Sequence, residues 1–531
     1  MKHDTPARSA VRTRIQKKLL TAKNILYTRL LMTILLLCVQ LCFLFLMFLK
    51  FESYMEYVFG GSIFLSLLFI AYLMNCSGKN EFKITWILPV VVLPIFGISL
   101  YFLYRMNWGG IRLKKGLAKV KEESAPLLSD LPESEAAFRA YPKVRDIATY
   151  LYGCGAYPAY TNTAADYFPS GEAVFPDMLA ELKKARQFIF IEFFIIEPSK
   201  VWADILVILR QKVREGVEVR VLYDSLGSVQ LSSRQNELYL RSLGIKAKIF
   251  MPFVPIFDTG LNNRDHRKIL SIDGQVAYTG GVNLSDEYMN FSHPRFQYWK
   301  DTAIKIRGPA VRTFTTMFLQ NWYLANRKEY TGFEDYRRYV EVPYPVEAAQ
   351  GAVIPYGDDA FNNCDIAENV YNYIISKSHE YVHILTPYII VDNTLLDAML
   401  FAAARGVDVS VIVPMHYDHY ITFCVGRRYI KTLIENGIHV YGYEPGFIHA
   451  KVFVSDNKRG TVGSVNLDYR SLYHHFECGA YLYDSPTIQK LEADFQETRA
   501  QSVEITMEVY KSFPLIQRIL GWLFRMFGPL L

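Results

Sequence analysis

Two stretches decide how this chain folds: "HRKILSIDGQVAYTGGVN" (266–283) and "HAKVFVSDNKRGTVGSVN" (449–466). Each runs H-x-K-x-x-x-x-D, first as His266, Lys268 and Asp273, then as His449, Lys451 and Asp456. Seven residues after each aspartate stands a glycine, Gly280 or Gly463, and three further an asparagine, Asn283 or Asn466. Two matches with the same continuation make coincidence a poor explanation. The chain is an internal duplication.

More than the motif repeats. "ARQFIFIEFFII" (185–196) is answered by "SHEYVHILTPYII" (378–390), and "REGVEVRVLYD" (214–224) by "ARGVDVSVIVP" (404–414). Each half reads as strand, amphipathic helix, glycine turn and strand, followed by more helix and strand up to the motif. Strands alternating with helices imply crossover connections, hence an α/β fold with a mixed sheet flanked by helices. The period is far longer than a solenoid repeat, so the expectation is two similar lobes packed face to face, at 146–345 and 346–510. The length of 531 residues accommodates both and an additional region.

That region is N-terminal. Residues 1–29 carry eight lysines and arginines against Asp4 alone, and Leu30 to Leu49 carry no charge. Apolar runs follow at Tyr57–Cys76 and Ile84–Tyr104. Each run is long enough to cross about 30 Å of hydrocarbon as a helix, and the first is too long for a secretory signal. Residues 30–104 are therefore expected to be a transmembrane region of two to three helices. Basic residues flank both its ends, and both clusters ask for the cytoplasmic side. Three full crossings cannot satisfy both, so one run is expected to be interfacial or re-entrant. Pro89, Pro94 and Gly97 make the third run a candidate for breaking, and the first is the other candidate.

Residues 105–145 are charged and read as a juxtamembrane linker. In 511–531, Arg518 and Arg525 lie one heptad apart with Ile516, Ile519, Leu520, Leu523 and Phe527 largely on other faces. That pattern suits an amphipathic helix in the membrane interface, with a core-packing terminal helix as the other reading. The seven cysteines are odd in number and form no C-x-x-C pair, which argues against a disulfide framework or a structural zinc site.

In a strand, residues two apart share a face, so His449 and Lys451 point the same way, as do His266 and Lys268. Asp273 and Asp456 have the opposite parity and sit at turns. Two facing lobes would present two imidazoles, two ammonium groups and two amides. The lysines and asparagines suit a tetrahedral phosphate. The histidines suit nucleophilic attack on phosphorus and protonation of the departing alcohol. Each needs an orienting carboxylate. Asp301, 35 residues after His266, and Glu477, 28 after His449, stand just inside alternating strands downstream of those histidines. No cluster demands a metal, and no cofactor is expected.

At these residues the chain resembles the phospholipase D superfamily, whose signature is a pair of H-x-K-x-x-x-x-D motifs each followed by G-S/G-x-N. Within it, "NNRDHRKILSIDG" and "PGFIHAKVFVSD" look like the active-site segments of bacterial cardiolipin synthases. "KITWILPVVVLPIFGISLYFLYR" resembles their membrane anchor, and the final "GPLL" resembles their ending. Two departures stand out: the run at 30–49 is additional to the usual two-helix anchor, and Gly281 stands where serine is more usual. The resemblance implies a catalytic set of His266, Lys268, Asp273, His449, Lys451 and Asp456, in which the aspartates are structural. His266 would be the nucleophile and His449 the general acid, then base. Lys268, Lys451, Asn283 and Asn466 would hold phosphate, and Asp301 and Glu477 would orient the histidines. It implies transfer of a phosphatidyl group between two phosphatidylglycerol molecules, giving cardiolipin and glycerol, in a multi-pass protein of the bacterial plasma membrane.

The alternatives are a phospholipase with water as acceptor, a transferase taking phosphatidylethanolamine as second lipid, and a dead membrane scaffold. A nuclease would need a basic groove and no spans, so nucleic acid is not an expected partner. Sequence does not fix the oligomeric state. His416, Asp418 and His419 in "HYDHY" are a candidate metal cluster, with Asp418 alternatively at the pocket mouth; His474 and His475 read as packing or surface groups, and Asp224 as a cleft residue or a cap.

Overall fold

The structure, a computed structural model, describes Cys38, Cys42, Phe45 and residues 55–105, 108–129, 132–252, 263–293, 295–325, 332, 336–344, 349–362 and 364–530. The basic segment 1–29 and nearly all of the first apolar run lie outside the described residues. The chain divides into two compact units, one ending at Gly110 and one beginning at Ile111.

In the first unit, α1 (Met55–Asn75) packs with α2 (Asn80–Val92) and α3 (Pro94–Arg105). The third apolar run is thus two short helices. Proline at 94 biases the preceding residue away from helical geometry, and Leu93 adopts φ −140°, ψ 82°. Gly97 then passes so near the chain that a Cβ there would lie 2.5 Å from the Pro89 carbonyl carbon. Phe69, Leu73, Trp86, Val90 and Tyr101 form this unit's apolar core. Among the described residues no helix is long and apolar enough to cross a membrane.

The second unit holds both lobes. In the first lobe the strands are β1 (Ala164–Phe168), β2 (Phe188–Phe193), β3 (Glu218–Asp224), β4 (Lys246–Phe250), β5 (Lys268–Ile272), β6 (Val276–Gly280), β7 (Trp299–Lys300) and β8 (Ala303–Arg307). In the second they are β9 (Ala352–Asp358), β10 (Tyr381–Leu385), β11 (Ile389–Ile390), β12 (Asp408–Pro414), β13 (His439–Tyr443) and β14 (Phe447–Ile448). They continue as β15 (Val452–Ser455), β16 (Arg459–Gly463), β17 (Leu467–Asp468), β18 (Glu477–Tyr483) and β19 (Ser502–Glu504).

The first sheet runs β1-β8-β6-β5-β2-β3-β4 and the second β9-β18-β16-β15-β10-β12-β13, with β19 added at its edge. Directions match as well: β2-β3-β4 and β10-β12-β13 are parallel, and the inner joins β2–β5 and β10–β15 are antiparallel. The duplication read from the motifs is a duplication of the whole sheet.

The crossovers follow the expected pattern. Between β2 and β3, helix Lys200–Arg214 buries Val201, Trp202, Ile205, Ile208 and Leu209, a helical stripe, and Ser199 caps its start by accepting from Trp202 N at 3.3 Å. Helix α4 (Val311–Ala325) is almost wholly buried and packs against strands of both sheets. The charged segment after Arg105 is more than a spacer: Leu113, Leu117 and Val120 join a core with Phe190 and Phe318. Further on, α5 (Tyr420–Glu435) packs against α6 (Leu515–Phe524), where Gly521 meets the Cys424 carbonyl.

One expectation from cysteine arithmetic needs correction. Cys154 and Cys364, 210 residues apart, form a disulfide. Counting could not find a single bridge between residues so distant in the chain.

Candidate active site

Both motifs place their histidine just before a central strand, β5 or β15, and each histidine is clamped to the opposite lobe by backbone. His266 N donates to Phe476 O at 2.9 Å, and His449 N to Lys300 O at 2.6 Å. Around them β14 runs parallel to β7, pairing Phe447 with Trp299 and Ile448 with Lys300.

The carboxylates follow the same crossing. Glu477 binds His266 Nδ1 through both oxygens, at 2.8 and 3.0 Å, and Asp301 binds His449 Nδ1 at 2.7 Å. The sequence reading gave each histidine the carboxylate downstream in its own lobe; that assignment is corrected. Strand order puts β8 and β18 next to the motif hairpins, but the face-to-face packing points each carboxylate at the partner lobe. Sequence distance carries no sign of which histidine it meets.

All of these groups are buried: His266, Lys268, Asn283, Asp301, His449, Lys451, Asn466 and Glu477. Burial pushes the His266 imidazole down to about 3, against the opposing pull of Glu477, and His449 down to about 4, with Lys451 adding to the effect. It also lowers Lys268 to about 8 and Lys451 to about 7. For Glu477 burial acts upward, but the charge and hydrogen bond of His266 outweigh it and hold the carboxyl well below its usual range. A cluster whose cations are this reluctant to charge is one waiting for an anion.

Lys268 Nζ donates to His266 O at 2.6 Å, and Lys451 Nζ lies 2.8 Å from His449 Nδ1. Asn283 Oδ1 accepts from Ile195 N at 3.1 Å. Asn283 Nδ2 and Asn466 Oδ1 have no hydrogen-bond partner among the described residues, so each amide keeps one polar atom available to a ligand. Asp273 and Asp456 are elsewhere. Asp273 accepts from the amides of Arg186, Gln187 and Phe188 at 2.7–2.8 Å, and Asp456 from those of His379, Glu380 and Tyr381 at 2.9–3.0 Å. They pin the starts of β2 and β10 and touch no reacting group, so their place in the catalytic set is as scaffold.

Sequence reasoning missed several neighbours. Ser464 and Ser471 both donate to the Glu477 carboxylate. His475, read as a packing group, has Nδ1 3.6 Å from Glu477 Oε1 and its ring 5.4 Å from that of His266. The signal was the two-residue spacing to Glu477. His266, His475 and Glu477 bring donor atoms within 4.8 Å of one another, the one such group found among the described residues. The "HYDHY" cluster does not assemble: Asp418 accepts from the Tyr388 hydroxyl, and exposed His419 stays 3.9 Å away. Asp224 caps the turn after β3 through Leu226 N and Gly227 N and also receives Asp265 N at 3.2 Å.

The geometry offers an imidazole with a fixed Nδ1 partner on each side of an anion-seeking cleft, the arrangement needed for attack on phosphorus from one side and protonation from the other. Residues 178–322 and 372–499 match the family described as cardiolipin synthase, PLD-like domain. The chain is 33% identical to a cardiolipin synthase of Geobacillus kaustophilus, covering 88% of this chain and 92% of that one. It is 31% identical to cardiolipin synthase 2 of Bacillus anthracis, covering 87% and 90%. The fold resembles the crystal structure of phosphatidylserine synthase from Haemophilus influenzae, with a TM-score of 0.54 and 15% identity over 73% of this chain and all of that one.

Proposed function

Because the chain belongs to the cardiolipin synthase family with PLD-like domains, we propose that it joins two phosphatidylglycerol molecules into cardiolipin and releases glycerol. The reciprocal His266–Glu477 and His449–Asp301 pairs are the observation that carries this reading. Glu477 holds the Nδ1 proton of His266, which leaves Nε2 free to attack phosphorus. The nitrogen–phosphorus bond forms, the bond from phosphorus to the headgroup oxygen breaks, and His449 gives the departing glycerol its proton. The hydroxyl of the second lipid then returns a proton to His449, attacks phosphorus and frees His266. Lys268, Lys451, Asn283 and Asn466 hold the phosphoryl oxygens through both steps. One phosphodiester replaces another, so no activated donor is needed.

A bilayer is the proposed partner. The third run breaks into two short helices at Leu93, which supports a hairpin that dips into one leaflet of the bilayer. The outward-facing Phe64, Leu67, Leu68, Val91 and Val92 of α1 and α2 suit acyl chains. The tail adds support: Leu515, Ile516, Trp522 and Leu523 are exposed on α6, beside a groove lined by Arg428, Lys431 and Arg518.

The test is the purified protein with labelled phosphatidylglycerol as sole lipid substrate. Cardiolipin with released glycerol is expected. Phosphatidic acid as the main product would replace transfer by hydrolysis.

A further inference from the structure

Where α5 and α6 cross, the surface holds a groove, open on one side, with a volume of about 340 Å³. A cavity of ~10–15 Å³ already admits one water, so this one has room for a phosphate and its glycerol. The helices meet closely: a Cβ on Gly521 would lie 3.5 Å from Arg428 Cβ, so the Arg428 side chain starts at the contact itself. Lys431 stands one turn further along α5, and Arg518 one turn before Gly521 on α6. These spacings put all three cations on the walls of the groove.

Two of the three lack a counter-ion. Lys431 lies 3.4 Å from Glu435, but among the described residues no carboxylate forms an ion pair with Arg428 or Arg518. The Nε atom of each arginine is buried and has no hydrogen-bond partner among the described residues. A guanidinium nitrogen in that state is costly. A phosphate drawn against the guanidinium edge supplies the missing acceptor as well as the missing charge. The rim of the groove is apolar: Leu515, Ile519 and Trp522 follow a helical stripe on α6 and are all exposed, Trp522 to 68%.

We infer that this groove binds the phosphodiester of an anionic phospholipid, held by Arg428, Arg518 and Lys431, with its acyl chains along Leu515, Ile519 and Trp522. The inference deepens the bilayer reading above and rests on it. No imidazole lines the groove, so the lipid there is held and not turned over. Charge selects the headgroup. Choline or ethanolamine would bring a further cation to three already present, with Glu435 alone to receive it; glycerol brings none. An amphipathic helix by itself enters an interface without choosing a lipid. Two guanidinium forks at a fixed helix crossing choose one, because each can engage two phosphate oxygens together.

The test uses the full chain carrying His266→Ala, which cannot consume lipid, in a neutral detergent. Phosphatidylglycerol is titrated in, and the lipids retained are counted by native mass spectrometry. Arg428→Gln combined with Arg518→Gln should remove one retained phosphatidylglycerol, its Kd rising at least about tenfold, the worth of one charged hydrogen-bond pair. Arg428→Lys combined with Arg518→Lys should keep most of the binding, since the charges remain and the stems still pack. Phosphatidylcholine, and glycerol phosphate without acyl chains, should each occupy the groove at least about tenfold more weakly.

The inference is overturned if the glutamine variant retains every lipid, or if phosphatidylcholine is held as well as phosphatidylglycerol. It is overturned too if the lysine variant loses as much as the glutamine one, which would make the arginines packing groups of the helix crossing. Equal binding of glycerol phosphate would turn the groove into a site for free phosphate esters and end the lipid assignment. Failure of the readings above looks different. A protein that stays in water without detergent refutes the bilayer reading, and this inference with it. One that makes phosphatidic acid alone refutes transfer and leaves this binding intact.

Discussion

In the second lobe Ser464 and Ser471 both hold Glu477, whereas in the first lobe the position matching Ser464 is Gly281, and Asp301 fills the space a side chain would take. A Cβ on Gly281 would lie 2.0 Å from Asp301 Oδ1. The shorter carboxylate and the missing side chain belong together, as do the longer carboxylate and its serines. Since the pairs cross, the serine-held carboxylate serves His266, and Asp301, which accepts from the backbone Thr302 N at 2.8 Å, serves His449. Both lysines donate to the carbonyl of their own histidine, and Lys451 Nζ in addition lies 2.8 Å from His449 Nδ1. Duplication supplied two equal frames, and the crossing turned them into halves with unequal tasks.

The strongest way to break the comparison is to remove one imidazole at a time. His266→Ala and His449→Ala should each lower turnover by about four orders of magnitude or more, with folding retained by circular dichroism. Substantial activity in either would mean that one lobe suffices.

Exchanging the small residues sharpens it. Gly281→Ser should push Asp301 off His449 and slow transfer by well over about tenfold, while Ser464→Gly removes one hydrogen bond to Glu477 and should cost about tenfold. Equal effects from both would show that the lobes tolerate either arrangement.

The smallest expected effect is on stability against pH. The imidazoles titrate near 6.5 when unfolded but at about 4 for His449 and about 3 for His266 when folded. Between those values the unfolded chain binds the proton first, so stability is lost as pH falls from about 6.5, through about 4 for His449 and about 3 for His266. Glu477, held low in the fold, adds a loss of the same sign at the acid end. His449→Gln and His266→Gln should flatten the fall of the melting temperature over their own windows; unchanged slopes would contradict the burial argument.

Much of this was legible in the sequence. The motif spacing located six of the buried groups, the alternating strands downstream added Asp301 and Glu477, and the repeated strand and turn segments pointed to two similar lobes. Strand parity separated Asp273 and Asp456 from the chemistry, and both turned out to hold turns. Pro94 and Gly97 marked the break in the third apolar run. What the sequence could not carry was contact across the interface. The pairing of Asp301 with His449, the closeness of the His475 ring to that of His266, and the Cys154–Cys364 bridge all join residues that are near only after two lobes close on each other.

The crossing itself can be measured directly. With a donor lipid whose leaving group needs little protonation, peptides spanning residues 264–268 are followed by mass spectrometry for a phosphatidyl group on His266, in Glu477→Gln and in Asp301→Asn. Glu477 orients the attacking imidazole, so Glu477→Gln should suppress the adduct by about 10²–10⁴-fold. Asp301→Asn should leave the adduct forming and block its passage to cardiolipin, because only the acid–base partner is disturbed. An adduct intact in Glu477→Gln and absent in Asp301→Asn would contradict the crossed pairing.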